Sequence, residues 1–310
     1  MIASSDEAKF KKMKNIIKVL SGYGFNADGP SFVIDEIDGK QVTRDHVSII
    51  GRDFTIKPLL SKFCIGRYDL RTFDSFPCPQ ISSMTNKKGN ICYDCFTFNS
   101  FNPSFYNVPV STLSLKQQEY NLQPHNVYLA LFDEHHVKVG ISQHKRNLTR
   151  WLEQGARVAT VIFECDNAYL AREIEEKISK ELKLSETLRN EQKRQYLKNK
   201  TDFEKVTSLL EGLITRISAV FEQQITCQLY TKLDEYYLQK NVVHSNIIDI
   251  SNELPEAISG KGIGLIGDTL IFENEHQQFM FSLKKIIGQQ ILFENEVVNQ
   301  HFAPTQISLF

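Results

Sequence analysis

The sequence predicts an α+β protein: small β modules and a cysteine-rich loop module around a three-stranded sheet with helices, followed by a long helix. Three observations predict it. Short apolar runs punctuated by glycine occur towards both ends of the chain, four of the six cysteines fall between 64 and 95, and a strand-strand-helix-strand-helix pattern fills 125–183. The chain has 310 residues, 41% of them hydrophobic and 24% charged, which is the balance of a globular protein large enough for two or three small domains. No apolar run approaches the ~20 residues that span a bilayer. The segment Met1–Glu7 lacks the apolar core of a signal peptide. The expectation is therefore a cytoplasmic protein, in a reducing compartment and with no membrane partner. A net charge of −1 excludes a wholesale nucleic-acid coat.

The elements follow in chain order. In the segment 1–61, residues 5–20 pattern as an amphipathic helix, with Phe10, Met13, Ile16, Ile17 and Leu20 on one face and Gly22 and Gly24 ending it. Short strands are expected at Ser31–Ile34, Val47–Ile50 and Phe54–Ile56, with Asp38-Gly39 as a turn between the first two. The cysteine module spans 62–107. In 125–183, Val127–Phe132 and Val137–Ser142 read as a hairpin, Arg146–Glu153 as a short helix closed by Gly155, and Val158–Phe163 as a third strand. Asn167–Leu182 then reads as a helix with Leu170, Ile174, Ile178 and Leu182 on its buried face. The segment 184–243 is charged at first and becomes a long helix from Asp202 to Leu238, seamed by Phe203, Val206, Leu210, Leu213, Ile217 and Val220. It is expected to pack on the 167–182 helix. The segment 244–299 returns to short strands. Gly262-Ile263-Gly264 has no helix pattern after it, so it reads as strand punctuation rather than a phosphate loop. Ile49–Ile56 and Ile286–Phe293 share an I-I-G-x-x-(I/F)-x-(I/F) pattern: either a weak internal repeat or two similar hairpins.

Cys64, Cys78, Cys92 and Cys95 are spaced C-x13-C-x13-C-x2-C. A C-x2-C pair brings two thiolates from one tight turn to one tetrahedral ion, and in a reducing compartment such a cluster is more often a metal site than a disulfide pair. Four ligands with no open position predict a structural zinc that organises an aromatic-rich loop. Cys165 and Cys227 stand alone in apolar patterns, as small core residues. Residues 137–151 carry Lys138, Lys145, Arg146 and Arg150 with no acid among them, and Lys145 and Arg146 are the candidate nucleic-acid contacts on this strip.

The five residues Gln306-Ile307-Ser308-Leu309-Phe310, in the segment 300–310, resemble the pentapeptide by which bacterial polymerases and repair proteins dock onto the DNA sliding clamp. Leu309 and Phe310 would each contribute roughly 1.5–3 kcal/mol if buried in a partner's pocket, and the Gln306 amide would fix register at its rim.

The 126–183 segment resembles the GIY-YIG nuclease domain. Val127-Tyr128-Leu129 stands at its first-strand tyrosine, Lys138-Val139-Gly140-Ile141-Ser142 at its Tyr-Ile-Gly strand, Arg150 at its helix arginine and Glu175 at its metal-binding glutamate, with Asn190 further on where some members carry Asn. Lys138 replaces the family's second tyrosine. Together with the cysteine module, the segment Arg150-Trp151-Leu152-Glu153-Gln154-Gly155-Ala156 resembles an uncharacterised bacterial family that joins a cysteine-rich, zinc-binding region to a GIY-YIG-like domain. The resemblance implies a metal-dependent DNA endonuclease in repair or replication, recruited by the clamp. Glu175 would hold Mg²⁺ or Mn²⁺, Arg150 would clamp the phosphate, Tyr128 would orient or deprotonate water, and Lys138 would act as clamp or base. His136 and His144 are nearby acid–base candidates. The alternative is a non-catalytic, zinc-containing nucleic-acid-binding adaptor on the same scaffold. RNA stays open as the polymer, because nothing in the sequence reads a base or a 2′-hydroxyl.

Overall fold

The computed structural model describes residues 16–299 apart from 27, 186, 223–224, 226–229, 239–241 and 243–245. Residues 1–15, Cys227 and the 306–310 motif thus lie outside the described residues. The architecture is mixed α+β, with several sheets and seven α-helices among the described residues.

The first strands are β1 (Ile17–Asn26), β2 (Gly29–Asp38), β3 (Gln41–Ser48) and β4 (Asp53–Lys62). A helix expected through residue 20 is therefore a strand from Ile17. The reason is a bulge between Leu20 and Gly22, which buries Val19, Leu20 and Ser21 in succession and so breaks the alternation that marks a strand. Two short strands, β5 (Arg67–Tyr68) and β6 (Ser75–Phe76), pair within the cysteine module, which ends in helix α1 (Tyr93–Asn99). Helix α2 (Leu115–Asn121) leads into β7 (His125–Leu131) and β8 (Val137–Gln143). Then come α3 (Asn147–Gln154), β9 (Val158–Cys165), α4 (Ala168–Leu182), α5 (Asn190–Tyr196) and α6 (Phe203–Phe221). The expected long helix stops at Phe221, where Glu222 takes the left-handed conformation and returns its N–H to Ala219. The chain instead supplies a short strand, β10 (Thr231–Lys232), and one turn of helix, α7 (Asp234–Tyr237). The remaining strands are β11 (Ile248–Asp249), β12 (Ile258–Ile266), β13 (Thr269–Asn274), β14 (Gln277–Ser282) and β15 (Gln289–Glu294).

Strands from the two ends of the chain share one nine-stranded sheet of order β11-β14-β13-β12-β4-β15-β1-β2-β3. The two I-I-G segments lead into β4 and β15, which lie side by side and antiparallel. Its core includes Phe32, Phe54, Phe272 and Phe281. The second sheet has the order β10-β9-β7-β8, with β7 central and antiparallel to both neighbours. One of its faces, built on Val127, Leu129 and Val139, packs against α4 and α6. The other, built on Tyr128, Ala130 and Phe132, packs on α3 and meets Ile263, Ile266 and Ile271 of the large sheet. Buried Arg157, 1% exposed, sends two N–H groups to the Asp234 carboxylate and fixes α7 to the start of β9.

Candidate metal centre and candidate active site

The cysteine centre assembles from three segments. Cys64 follows β4, Cys78 follows β6, and Cys92 and Cys95 flank the start of α1. All four are buried and reduced, and their Sγ atoms lie within 4.8 Å of one another. Cys78 and Cys92 are 3.8 Å apart, the separation that ~2.3 Å Zn–S bonds at a tetrahedral angle require. The backbone N–H groups of Gly66 (3.4 Å) and Cys92 (3.2 Å) point at Cys64 Sγ, as donors do towards a thiolate. Gly66 has φ +93°, and a Cβ there would stand 2.0 Å from the Phe76 carbonyl oxygen, so the knuckle needs glycine. Burial raises the Cys64 thiol to about 11. At Cys92 burial also opposes ionisation, but N–H and side-chain donors outweigh it and lower the thiol to about 7. This donor set could hold a metal ion, and it fits structural zinc. Arg44 ties the module to the large sheet: it binds Asp35 in two-pronged fashion and donates to the Ile65 carbonyl at 2.7 Å.

The second site gathers at the β8 edge of the small sheet. Tyr128 and Gly140 are register partners, so their side-chain positions share a face. A Cβ on residue 140 would stand 2.6 Å from both Cζ and Oη of Tyr128. The ring therefore lies across the glycine and reaches the strand edge only because that side chain is missing. Tyr128 is 1% exposed. Its hydroxyl accepts from Gln154 Nε2 at 2.8 Å, and its ring meets Trp151 edge to face. Burial raises the Tyr128 pKa, Arg150 and the Gln154 bond lower it in part, and the charge of Glu175 raises it further. Two candidate residues, Arg150 on α3 and Glu175 on α4, thus act on the Tyr128 hydroxyl.

Glu175 is buried on α4, 6% exposed, and accepts from Arg172 Nη1 at 2.6 Å. Arg172 in turn lies over the Tyr106 ring, 4.3 Å from its centre. The Arg150 side chain keeps 45% of its surface exposed, and its guanidinium is 3.7 Å from Glu153, which Arg146 approaches more closely at 2.9 Å. Lys138 is two residues before Gly140, beside the Ser185 bridge, and its charge acts on Lys193. Lys193 donates to the Gln154 carbonyl at 2.7 Å and lies over Phe132. Lys145 and Arg146 fall in the turn before α3, facing the cysteine module: Arg146 is over the Tyr68 and Phe73 rings, at 5.3 and 5.6 Å. His144 opens that turn. His136 is at the far end of the hairpin, stacked on Tyr196 and bonded to Asp133. Asn190 begins α5, one turn before Lys193.

A cleft of about 260 Å³ opens in front of Arg150, lined by Phe101, Phe105, Tyr120, His125, Gln143 and Arg146 among others. Sequence reasoning missed Gln154, Arg172 and Lys193 as parts of this site. Two of them carried a signal: Gln154 is one helical turn from Arg150 and Arg172 one turn from Glu175.

Fold and centres define an α+β protein with a four-cysteine site suited to metal and a polar site at a sheet edge. A family model described as "Protein of unknown function (DUF2797)" matches residues 78–302, and the chain belongs to that family. No curated protein and no solved structure matches the chain. Among the described residues, no helix is long and apolar enough to cross a membrane.

Proposed function

We propose that the protein is a metal-dependent DNA endonuclease of the GIY-YIG type, with Arg150, Tyr128, Glu175 and Lys138 around the scissile phosphate. What supports the reading is the Tyr128–Gly140 pairing, because it brings a tyrosine hydroxyl to the strand edge where Arg150 and Glu175 both act on it. Hydrolysis joins a water oxygen to phosphorus and breaks the P–O bond to the leaving strand; the water's proton passes to solvent, and solvent returns one to the leaving oxygen. Arg150 offers parallel N–H donors to two phosphate oxygens, charge that grows in the transition state. Tyr128, with ionisation opposed by burial, orients the water through its neutral hydroxyl and does not act as phenolate. Lys138 adds positive charge beside the phosphate. Among the described residues the only cluster of three or more candidate ligands is the cysteine set. A Glu175 site would therefore be a single-carboxylate one, completed by water and phosphate oxygens, which suits Mg²⁺ or Mn²⁺. When bound, such an ion supplies Lewis-acid polarisation of the phosphoryl oxygen. Glu175 would exchange its Arg172 bond for it.

The buried Arg172–Glu175 pair favours a second reading, a nucleic-acid-binding adaptor whose glutamate is structural. One experiment separates the two. Wild type and Glu175→Gln are incubated with single-stranded, duplex, flap and branched DNA in Mg²⁺ or Mn²⁺. The nuclease reading expects cleavage by the wild type alone and equal DNA retention by both. Retention without cleavage by either protein sinks it and leaves the adaptor. The Gln306–Phe310 motif would dock the protein on the sliding clamp; clamp binding unchanged by Leu309→Ala with Phe310→Ala would remove that part of the reading.

A further inference from the structure

The cleft in front of Arg150 is furnished for more than a phosphate. Its volume of about 260 Å³ lies below the ~300–1,000 Å³ of drug-sized sites, so it suits one planar ring system. Phe101, Phe105 and Tyr120 form aromatic walls, and Phe101 meets Tyr120 edge to face at 6.0 Å. Two buried polar side chains line the same space. His125 Nδ1–H donates to the Gln123 carbonyl at 2.8 Å, which leaves Nε2 as an acceptor. Burial lowers the His125 pKa and keeps that lone pair free. Gln143 commits its Oε1 to the Lys145 N–H at 2.7 Å, and its Nε2 has no hydrogen-bond partner among the described residues. The cleft thus offers one acceptor and one donor group between aromatic faces. Cations stand at its rim: Arg150 and Arg146 line it, and a second cavity of about 230 Å³ shares Tyr120 and Gln143 and continues past Lys145 to the Arg71–Glu119 ion pair.

We propose that this cleft binds one unpaired nucleobase of a DNA or RNA strand, stacked on Phe101 with the perpendicular Tyr120 ring against its rim, its edge read by His125 Nε2 and Gln143 Nε2. The flanking phosphates lie along Arg146 and Lys145. The inference rests on the nucleic-acid reading of the Arg150 site and narrows its substrate: the nucleotide beside the phosphate held by Arg150 is extrahelical or single-stranded, because the ring cannot enter the cleft while it is stacked in a duplex.

The test uses the full-length Glu175→Gln protein, so that strands survive, and duplexes carrying one bulged 2-aminopurine, one bulged abasic residue or no bulge, each made as DNA and as RNA. The proposal expects the 2-aminopurine fluorescence to be quenched on binding, and about tenfold weaker binding of the abasic and fully paired forms. Phe101→Ala, checked for fold and zinc content, should lose the quenching. Tighter binding of the DNA or the RNA series assigns the strand. Unchanged fluorescence on binding, or equal affinity for all three duplexes, overturns the proposal even if the wild type cleaves paired DNA. Quenching without any cleavage by the wild type leaves the base site standing and removes the nuclease.

Discussion

Gly140→Ala is the sharpest probe of the site. The backbone at Gly140 is ordinary strand, without a positive φ, so an alanine there would by itself stabilise the chain by about 0.5–1 kcal/mol. The geometry reverses that sign. The added Cβ would stand 2.6 Å from Tyr128 Cζ and Oη, whereas carbon atoms settle at about 3.5–4.0 Å. The ring must therefore move by about 1 Å. It is 1% exposed, backed by Trp151 and bonded to Gln154, so the displacement costs about 1–3 kcal/mol as overpacking. Urea unfolding followed by circular dichroism, at fixed zinc, measures it. Gly212→Ala is the control: Gly212 is an exposed residue of α6 with no atom within 4 Å of the added Cβ, and the change should stabilise by about 0.5–1 kcal/mol. In a Tyr128→Val background, the cost of Gly140→Ala should vanish, giving a coupling of about 1–3 kcal/mol. A Gly140→Ala protein as stable as wild type, or one with the same cost in the valine background, refutes the ring-over-glycine argument. If the site cleaves DNA, a ~1 Å displacement of the Tyr128 hydroxyl should lower the rate on the order of 100-fold.

Three further outcomes are expected. The protein should bind one zinc per chain by mass spectrometry, and Cys95→Ser should lose it and expose 62–107 to limited proteolysis; full resistance after metal loss would contradict a zinc-held module. Arg157→Met should cost about 3 kcal/mol, the low end for a broken buried pair because Asp234 keeps 24% of its side chain in water. Adding Asp234→Leu should restore most of it, and an unimproved double variant would refute the pairing account. Lys193 is held down to about 8, first by burial and then by Lys138 and Lys284, against a free value of 10.5. Between those values the unfolded chain binds more protons than the folded one, so this residue makes stability rise with pH across about 8–10.5, and its penalty is fully present below about 8. Lys193→Met should flatten that rise in urea midpoints measured from pH 7.5 to 10.5, and parallel curves would count against it.

Local signals carried much of this molecule. The C-x2-C pair and its two distant partners were legible as one centre because metal ligation leaves a spacing, and the Tyr128 and Gly140 positions because a hairpin pairs residues near in sequence. What failed was local pattern under non-local constraint. Residues 17–20 look helical only until the Leu20/Gly22 bulge is known. The end of α6 at Phe221 is set by a left-handed cap on a glutamate, a residue type that carries no stop signal. The joining of β1 and β4 to β15, with partners such as Lys18 and Ile291, is invisible to any periodicity, because it links segments more than two hundred residues apart. Lys193 was hidden for the same reason: its contact is to the Gln154 carbonyl, across different elements.

The two centres form one mechanical unit. The loop closed by Cys64 and Cys78 contains Tyr68 and Phe73, and these two rings support the Arg146 guanidinium. The Tyr68 N–H is bonded to Asn99 Oδ1 at 2.7 Å, at the end of the helix that Cys92 and Cys95 begin. Phe73 meets Tyr120 edge to face at 6.3 Å, and Tyr120 meets His125 at 5.2 Å, the first residue of β7. Contacts therefore run unbroken from the cysteine ligands through one cleft wall to the small sheet. The main apolar clusters of both sheets include none of these module residues. Loss of a metal from the four-cysteine site should therefore release the cleft wall while leaving the sheets folded.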